Sequence, residues 1–438
     1  MVFFGILASI VLFSCIVFIH EFGHFKLARI FKVKVEEFGL GIPPRAKKLF
    51  TDKTGTLFSL NWIPLGGFVR LKGEQNHIFF LYDEKEKLLS SEEIEKYIKE
   101  KKEVFDKNGN KIKKEEKQKI AWQLKENKDK DNLSNKPYWQ QALIILGGVG
   151  MNFIFAIIIF SCLFFFGVKP IGINDSIQTN LDIKLIPSFE QALKEGVIIK
   201  EDGIVLAPVE KSNAIKAGIK KGDILLAIED KNVNSFDEVK NILTSFASKE
   251  VSFEILRNKK KEILKVNISK DGKIGSYMGE NIHPNENFIY KYGFLKSIQY
   301  GIKETYNQSL LTLQALGVLV KNISSGEKEQ REEALQSVSG PVGIVEIVGQ
   351  SLNLGFSFFL LLGALISINL GVFNLLPIPA LDGGRFLFIC INMISEKFSK
   401  KKGIPLHIEG FIHILFFVLL IAFSIIITYN DISKLINK

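Results

Sequence analysis

Long apolar runs alternate with densely charged ones along this chain, and the period of the pattern changes from one stretch to the next. Residues 2–19 form an unbroken hydrophobic run, and three more lie at about 142–168, 356–376 and 412–429. At ~1.5 Å per helical residue such runs cover most or all of a ~30 Å hydrocarbon layer, so the pattern predicts four transmembrane helices. The first run has no basic segment before it and no small-residue cleavage site after it, and is expected to be a retained span. From 33 to 72 the runs become short and alternating, broken by Gly, Pro and Asn. This predicts a small antiparallel β-element at the membrane surface, with a turn at 63–67. Residues 82–136 are dominated by Glu and Lys and read as an exposed, partly helical insert, interrupted at 107–110. Residues 171–271 carry the mixed pattern of a soluble α+β domain. Residues 294–320 have helical spacing but are too polar to span. They are expected to lie along the membrane or against the soluble domain. A Ser-Gly-Pro break at 339–341 precedes the third span.

The segments are then a first span, 1–30, and a membrane-associated β-element, 31–76. A charged insert, 77–136, and a second span, 137–170, follow. A soluble domain, 171–275, leads to an amphipathic helical linker, 285–338. The third span occupies 339–390, and the fourth, with its tail, 405–438. The fold class predicted is a polytopic α-helical membrane protein with a small β-element and one extracytoplasmic domain.

Composition agrees with that segregation. In 438 residues, 47% are hydrophobic and 24% charged, and mean hydropathy is +0.16. A uniform soluble chain does not combine those values. Net charge is +10, and its placement is informative. Lys26, Arg29, Lys32, Lys34, Arg45, Lys47 and Lys48 follow the first span, and Arg385, Lys397 and Lys400–Lys402 lie between the third and fourth. Positive flanks of this kind face the cytoplasm. The N-terminus, the soluble domain and the C-terminus are therefore expected outside, and 31–136 inside. Charge distributed in this way calls for a lipid bilayer and for no nucleic acid. Cys15, Cys162 and Cys390 fall in or beside apolar runs and offer no disulfide framework or Cys-x-x-Cys pair. There is no Walker-type phosphate loop.

The first span ends in His20-Glu21-Phe22-Gly23-His24. Residues four apart share a helix face, so two imidazoles can address one ion, with Glu21 beside them as general base. This is the His-Glu-x-x-His pattern of zinc sites. The same residues at a membrane boundary with no metal are the plainer alternative. Far down the chain, Asn374-Leu375-Leu376-Pro377-Ile378-Pro379-Ala380-Leu381-Asp382-Gly383-Gly384-Arg385 ends the third span with two prolines. Non-helical backbone at that depth is tolerated where it lines a protected cavity. The first and third spans run in the same direction, so their ends meet at one depth, and Asp382 can supply a third zinc ligand. Asp382 as a simple helix cap is the alternative there. Gly147–Asn152 opens the second span with small residues that favour close helix packing, and Asn152 is placed to face the metal cavity.

These features together resemble the site-2 protease family of intramembrane zinc metalloproteases, in its bacterial regulator-of-sigma-E protease branch. The resemblance covers nearly the whole chain in order: 20–24, 63–68, 147–152, 339–341, 374–385 and 429–432. The Ala-Gly-Ile-x-x-Gly-Asp-x-Leu run at 217–225 resembles a PDZ domain, which takes an extended peptide ligand by strand addition. The resemblance implies Zn2+ on His20, His24 and Asp382, and Glu21 as catalytic base. It implies substrate contacts at Asn374 and at Gly66, Gly67 and Phe68. The substrates implied are single-span membrane proteins already shortened by another protease, and the location a bacterial inner membrane. Two departures stand out. One PDZ signature is present where well-known members of the branch carry two, and the insert at 77–136 has no counterpart. A membrane metal transporter and an inactive PDZ-bearing scaffold are the competing classes. The first needs repeated spans and a path of ligands, and the second sits poorly with an intact motif.

Overall fold

The computed structural model describes residues 2–74, 81–84, 87, 89, 91–106, 110–126, 128–173, 181–399 and 406–436. Residues 107–109 of the break expected at 107–110, and the lysines at 400–402, lie outside the described residues. The chain divides into two compact units, residues 1–168 with 291–438, and 169–290.

Helix α1, Val2–Ile30, is apolar almost throughout and ends in Arg29. It leads into β1, Val35–Thr51, and β2, Leu57–Leu71, which fold on each other as four short antiparallel segments. Phe38 pairs with both Val69 and Phe58, and Phe58 pairs in turn with Phe50. The order is therefore 66–71, 35–40, 57–61, 45–51, with 66–71 as an outer edge. That edge runs along α1, where Ser14 Oγ donates to Pro64 O at 2.7 Å. Gly66 has φ +79°, and a Cβ there would collide with Val17. At the far side Glu37 is buried and accepts from Arg45 and Arg70 at 2.6–3.0 Å. Burial opposes its charge, but the Arg45 guanidinium more than offsets this and holds the carboxyl below its ordinary range.

The insert carries α2, Ser91–Lys99, and α3, Lys114–Glu126, around a small core of Leu81, Ile94, Val104, Ile120 and Leu124. Lys72 ties its return to the β-element through Asp129 and Asp131. Helix α4, Tyr138–Phe166, starts after Pro137 and is apolar all round.

Residues 169–290 form a unit with its own core. Helices α5 (Phe189–Glu195), α6 (Asn213–Lys216) and α7 (Phe236–Ser245) are each capped by a serine whose hydroxyl accepts a backbone N–H. Strands β3 (Ile198–Pro208), β4 (Asp223–Ile228), β5 (Lys231–Asn232), β6 (Glu250–Arg257), β7 (Lys260–Asn267) and β8 (Ser276–Pro284) make one antiparallel sheet. Its order is β7-β6-β4-β3-β8, with β5 on β4. Leu206, Leu225, Ile228, Val239, Phe253 and Ile255 are buried between sheet and helices, each stabilising by about 1.5–3 kcal/mol. Asp223 is held by Arg257 at 2.6–2.8 Å. Burial raises the cost of that carboxylate, and the guanidinium beside it more than compensates, so its pKa lies below the ordinary value. The sequence pattern ended this domain at 275. The structure carries the unit on to Tyr290, because β8 pairs along β3 from Ser276 to Pro284.

The chain then returns to the first unit with α8 (Phe294–Ile323), α9 (Lys328–Ser337), α10 (Pro341–Asn353), α11 (Phe356–Leu375), α12 (Asp382–Ser399) and α13 (Leu406–Ile436). Helix α8 departs from expectation. It packs on α4 and α11, and it does so by its polar face: Ser297, Glu304, Thr305, Asn307 and Gln308 are buried, while Leu295, Tyr306 and Val320 are exposed. Apolar side chains cost nothing facing lipid, so the polar ones turn inward. The third span expected at 356–376 is α11, and the wider segment 339–390 also holds α10 and α12, with the proline turn between α11 and α12. Asp431 of α13 accepts from Gly343 N at 2.8 Å, closing the start of α10. Helices α1, α4, α11 and α13 are the four long and apolar enough to cross a membrane among the described residues.

Candidate metal centre

Three elements bring their donors to one point. One helical turn separates His20 and His24 on α1, and their Nε2 atoms stand 3.2 Å apart. Asp382, the first residue of α12, places Oδ2 3.0 Å from His20 Nε2 and 3.3 Å from His24 Nε2. Donors at about 2.1 Å around a tetrahedral zinc ion stand about 3.4 Å apart, so this triangle needs only slight spreading to hold one. Both histidines are buried. Asp382 Oδ2 is also buried and makes no hydrogen bond, despite two nitrogens at bonding distance. Lone pairs that converge on a point instead of on each other leave an atom in that state. The donor set is that of a metal site, and among the described residues it is the one such group of three.

The rings are oriented from behind. His24 Nδ1 lies 2.8 Å from Ile144 O on α4. A carbonyl only accepts, so Nδ1 carries the proton and Nε2 presents a lone pair. His20 Nδ1 meets the Asn152 amide at 3.1 Å through Nδ2, while Asn152 Oδ1 is buried without a partner. A half-turn of that amide gives Oδ1 to an Nδ1–H and frees His20 Nε2 as a second lone pair. Ser367 Oγ donates to Asn152 O at 3.0 Å, so α11 braces the same residue. Gly148 completes the wall. A Cβ there would stand 2.6 Å from His20 Nε2 and closer still to His24 Nε2.

Glu21 is on α1, half-buried, and its Oε2 accepts from Val69 N at 3.1 Å. The 66–71 edge therefore lies against the carboxylate. Gly67 is buried on that edge, where a Cβ would stand 3.0 Å from Gly39 O, and Phe68 is half-buried beside it. Asn374 occupies the last turn of α11, half-buried, on the helix that ends at the proline turn. Among the described residues, no hydrogen bond joins its side chain to the triangle.

Several contributors escaped the sequence reading. Ile144 acts through its carbonyl and leaves no residue-type signal. Glu74 pairs with Arg385 and accepts from Leu71 N at 3.3 Å, tying the edge to α12. His413 of α13 accepts from Ala380 N at 2.8 Å, and a histidine within an apolar run was a signal available in the sequence.

The chain matches the family model described as Peptidase family M50 over residues 8–423. It is 28% identical over 432 residues to a putative zinc metalloprotease of Fusobacterium nucleatum, covering 98% of this chain and 99% of that one. It is 29% identical over 455 residues to the zinc metalloprotease RasP of Shouchella clausii, covering 99% of each. A putative zinc metalloprotease of Helicobacter pylori is 30% identical over 396 residues, 89% of each chain. With a family match spanning almost its whole length and apolar helices around a buried donor triangle, this chain belongs to Peptidase family M50, the site-2 proteases, and is a zinc-dependent intramembrane metallopeptidase.

Proposed function

We propose that His20, His24 and Asp382 hold the catalytic zinc, that Glu21 is the general base, and that the substrates are transmembrane segments of single-span proteins already shortened by another protease. The observation that carries this reading is the triangle of Nε2, Nε2 and Oδ2 at 3.0–3.3 Å beside the Glu21 carboxylate. Zinc held there supplies a Lewis acid that polarises a peptide carbonyl and acidifies water. Glu21 takes the proton from the attacking water and delivers it to the leaving amide nitrogen, a role that needs a base beside the ligands and outside them. A helical substrate has its carbonyls hydrogen-bonded and must be unwound. The 66–71 edge, with Gly66, Gly67 and Phe68, is suited to hold an extended strand, and Asn374 to contact it. Lys26, Arg29, Lys32 and Lys34 after α1 support an orientation with 31–136 cytoplasmic and 169–290 and both termini outside, in a bacterial inner membrane.

The antiparallel sheet and serine-capped α7 of 169–290 support reading that unit as a PDZ domain that controls which substrates enter, with an extended peptide as its ligand. Cells carrying Glu21→Gln should accumulate a truncated, membrane-bound substrate fragment that wild-type cells lack. No difference between the two membrane proteomes would refute the protease reading of these residues. In the same assay, a chain with 169–290 replaced by a flexible linker should still cut the shortened substrate. Loss of that cleavage in a folded, zinc-bearing deletion would refute the gating role.

A further inference from the structure

The fourth span carries a histidine that the chemistry above leaves unused. Ionisable residues within spans are costly and need a reason to be there. His413 lies in α13, with the ring of Phe388 packed against it at 5.4 Å between centroids. Its Nδ1 is 2.8 Å from Ala380 N. A backbone amide can only donate, so Nδ1 is the acceptor, the ring is neutral and the proton sits on Nε2. Nε2 is buried without a hydrogen bond, and Glu409 Oε1, one turn earlier on α13, stands 3.8 Å from it. Among the described residues, the ring's one hydrogen bond is the one to Ala380.

That bond meets the most constrained point of the proline turn. Ala380 has φ +81°, a left-handed conformation that a residue with a Cβ holds only where its surroundings impose it. Pro377 and Pro379 have no N–H. Ile378 N is satisfied within the turn by Leu376 O at 2.7 Å, and Leu381 N by Ile378 O at 3.1 Å. Ala380 N is the donor that leaves the turn, and it goes to α13. Two residues later the chain starts α12 with Asp382, whose Oδ2 faces both imidazoles.

We propose that His413 is a positioning residue for the metal centre: by accepting the Ala380 N–H it holds the turn in the left-handed conformation that sets Asp382 against His20 and His24. The proposal rests on the reading of Asp382 as a zinc ligand. It assigns α13 a task in the site that its apolar, lipid-facing surface does not suggest.

The test is the rate at which purified, zinc-loaded full-length protein loses its metal to a soluble chelator. In His413→Asn the side-chain Oδ1 occupies the place of Nδ1 and can still accept from Ala380. In His413→Gln the amide lies further out, near the place of Nε2, and His413→Leu has no acceptor. Loss of an outer-shell contact typically costs about 10–100-fold in metal affinity, so Leu and Gln should release zinc at least about tenfold faster than wild type, and Asn within about threefold of it. A Leu variant that releases zinc at the wild-type rate overturns the proposal, as does a Gln variant that matches Asn. If the Leu variant does not fold, the comparison of Asn with Gln decides alone. Asp382→Ala is measured alongside. If it keeps zinc, the ligand reading itself fails, and if it loses zinc while the His413 series does not separate, only the role of His413 fails.

Discussion

At Gly148 a single hydrogen atom stands between α4 and the two imidazoles. Its missing Cβ would lie 2.6 Å from His20 Nε2 and nearer still to His24 Nε2, inside any allowed contact. Gly148→Ala must therefore push α4 away from α1 or turn the rings off their shared point. Because Ile144 and Asn152 brace those rings from the same helix, either response also disturbs the Nδ1 contacts. Zinc affinity should fall by at least about tenfold, or about 1.4 kcal/mol, in a competition titration against a chromogenic chelator. Unchanged affinity would mean that α4 does not form the wall of the site. The residues that could be read from sequence are those whose partners are close in the chain. His20, Glu21 and His24 follow from helical spacing, and Asp382 from prolines that only a protected cavity tolerates. Gly148 and His413 stand out locally, as a small residue and a histidine in apolar runs, but what each faces on another element is recorded by no local pattern.

Among the elements, the spans were legible because length and hydropathy decide them locally. The β-element was legible as a hairpin, but not the double pairing of 35–40 with 66–71 and 57–61, which is what makes 66–71 an edge beside Glu21. Strand β8 was missed for the same reason, since its partner β3 lies far back in the chain. Helix α8 was read as too polar to span, and what its spacing did not record is that its polar residues are the buried ones, in a helix packed on α4 and α11. The flanks of the spans carry a separate prediction. With Lys and Arg clustered after α1, a cysteine replacing exposed Lys231 should react with a membrane-impermeant maleimide on intact cells. One replacing exposed Lys99 should react only after lysis, both in a chain whose Cys15, Cys162 and Cys390 are alanine. Labelling of both from the same side would contradict the orientation.

The molecule as a whole segregates its tasks. A helical unit exposes apolar surface on α13, with Phe411, Ile414, Phe417 and Val418 outward, and buries His20, His24 and the Asn152 that braces them. A second unit, 169–290, folds about its own core. The account as a whole depends on one division of labour, in which three residues bind metal and a fourth moves protons. The direct measurement is zinc content and cleavage together, on purified full-length protein and a single-span substrate in detergent. Glu21→Gln should retain one zinc per chain and lose cleavage by a factor on the order of 10²–10⁴, the usual worth of a general base, while Asp382→Ala should lose both. Full zinc occupancy in Asp382→Ala, or wild-type cleavage by Glu21→Gln, would contradict it.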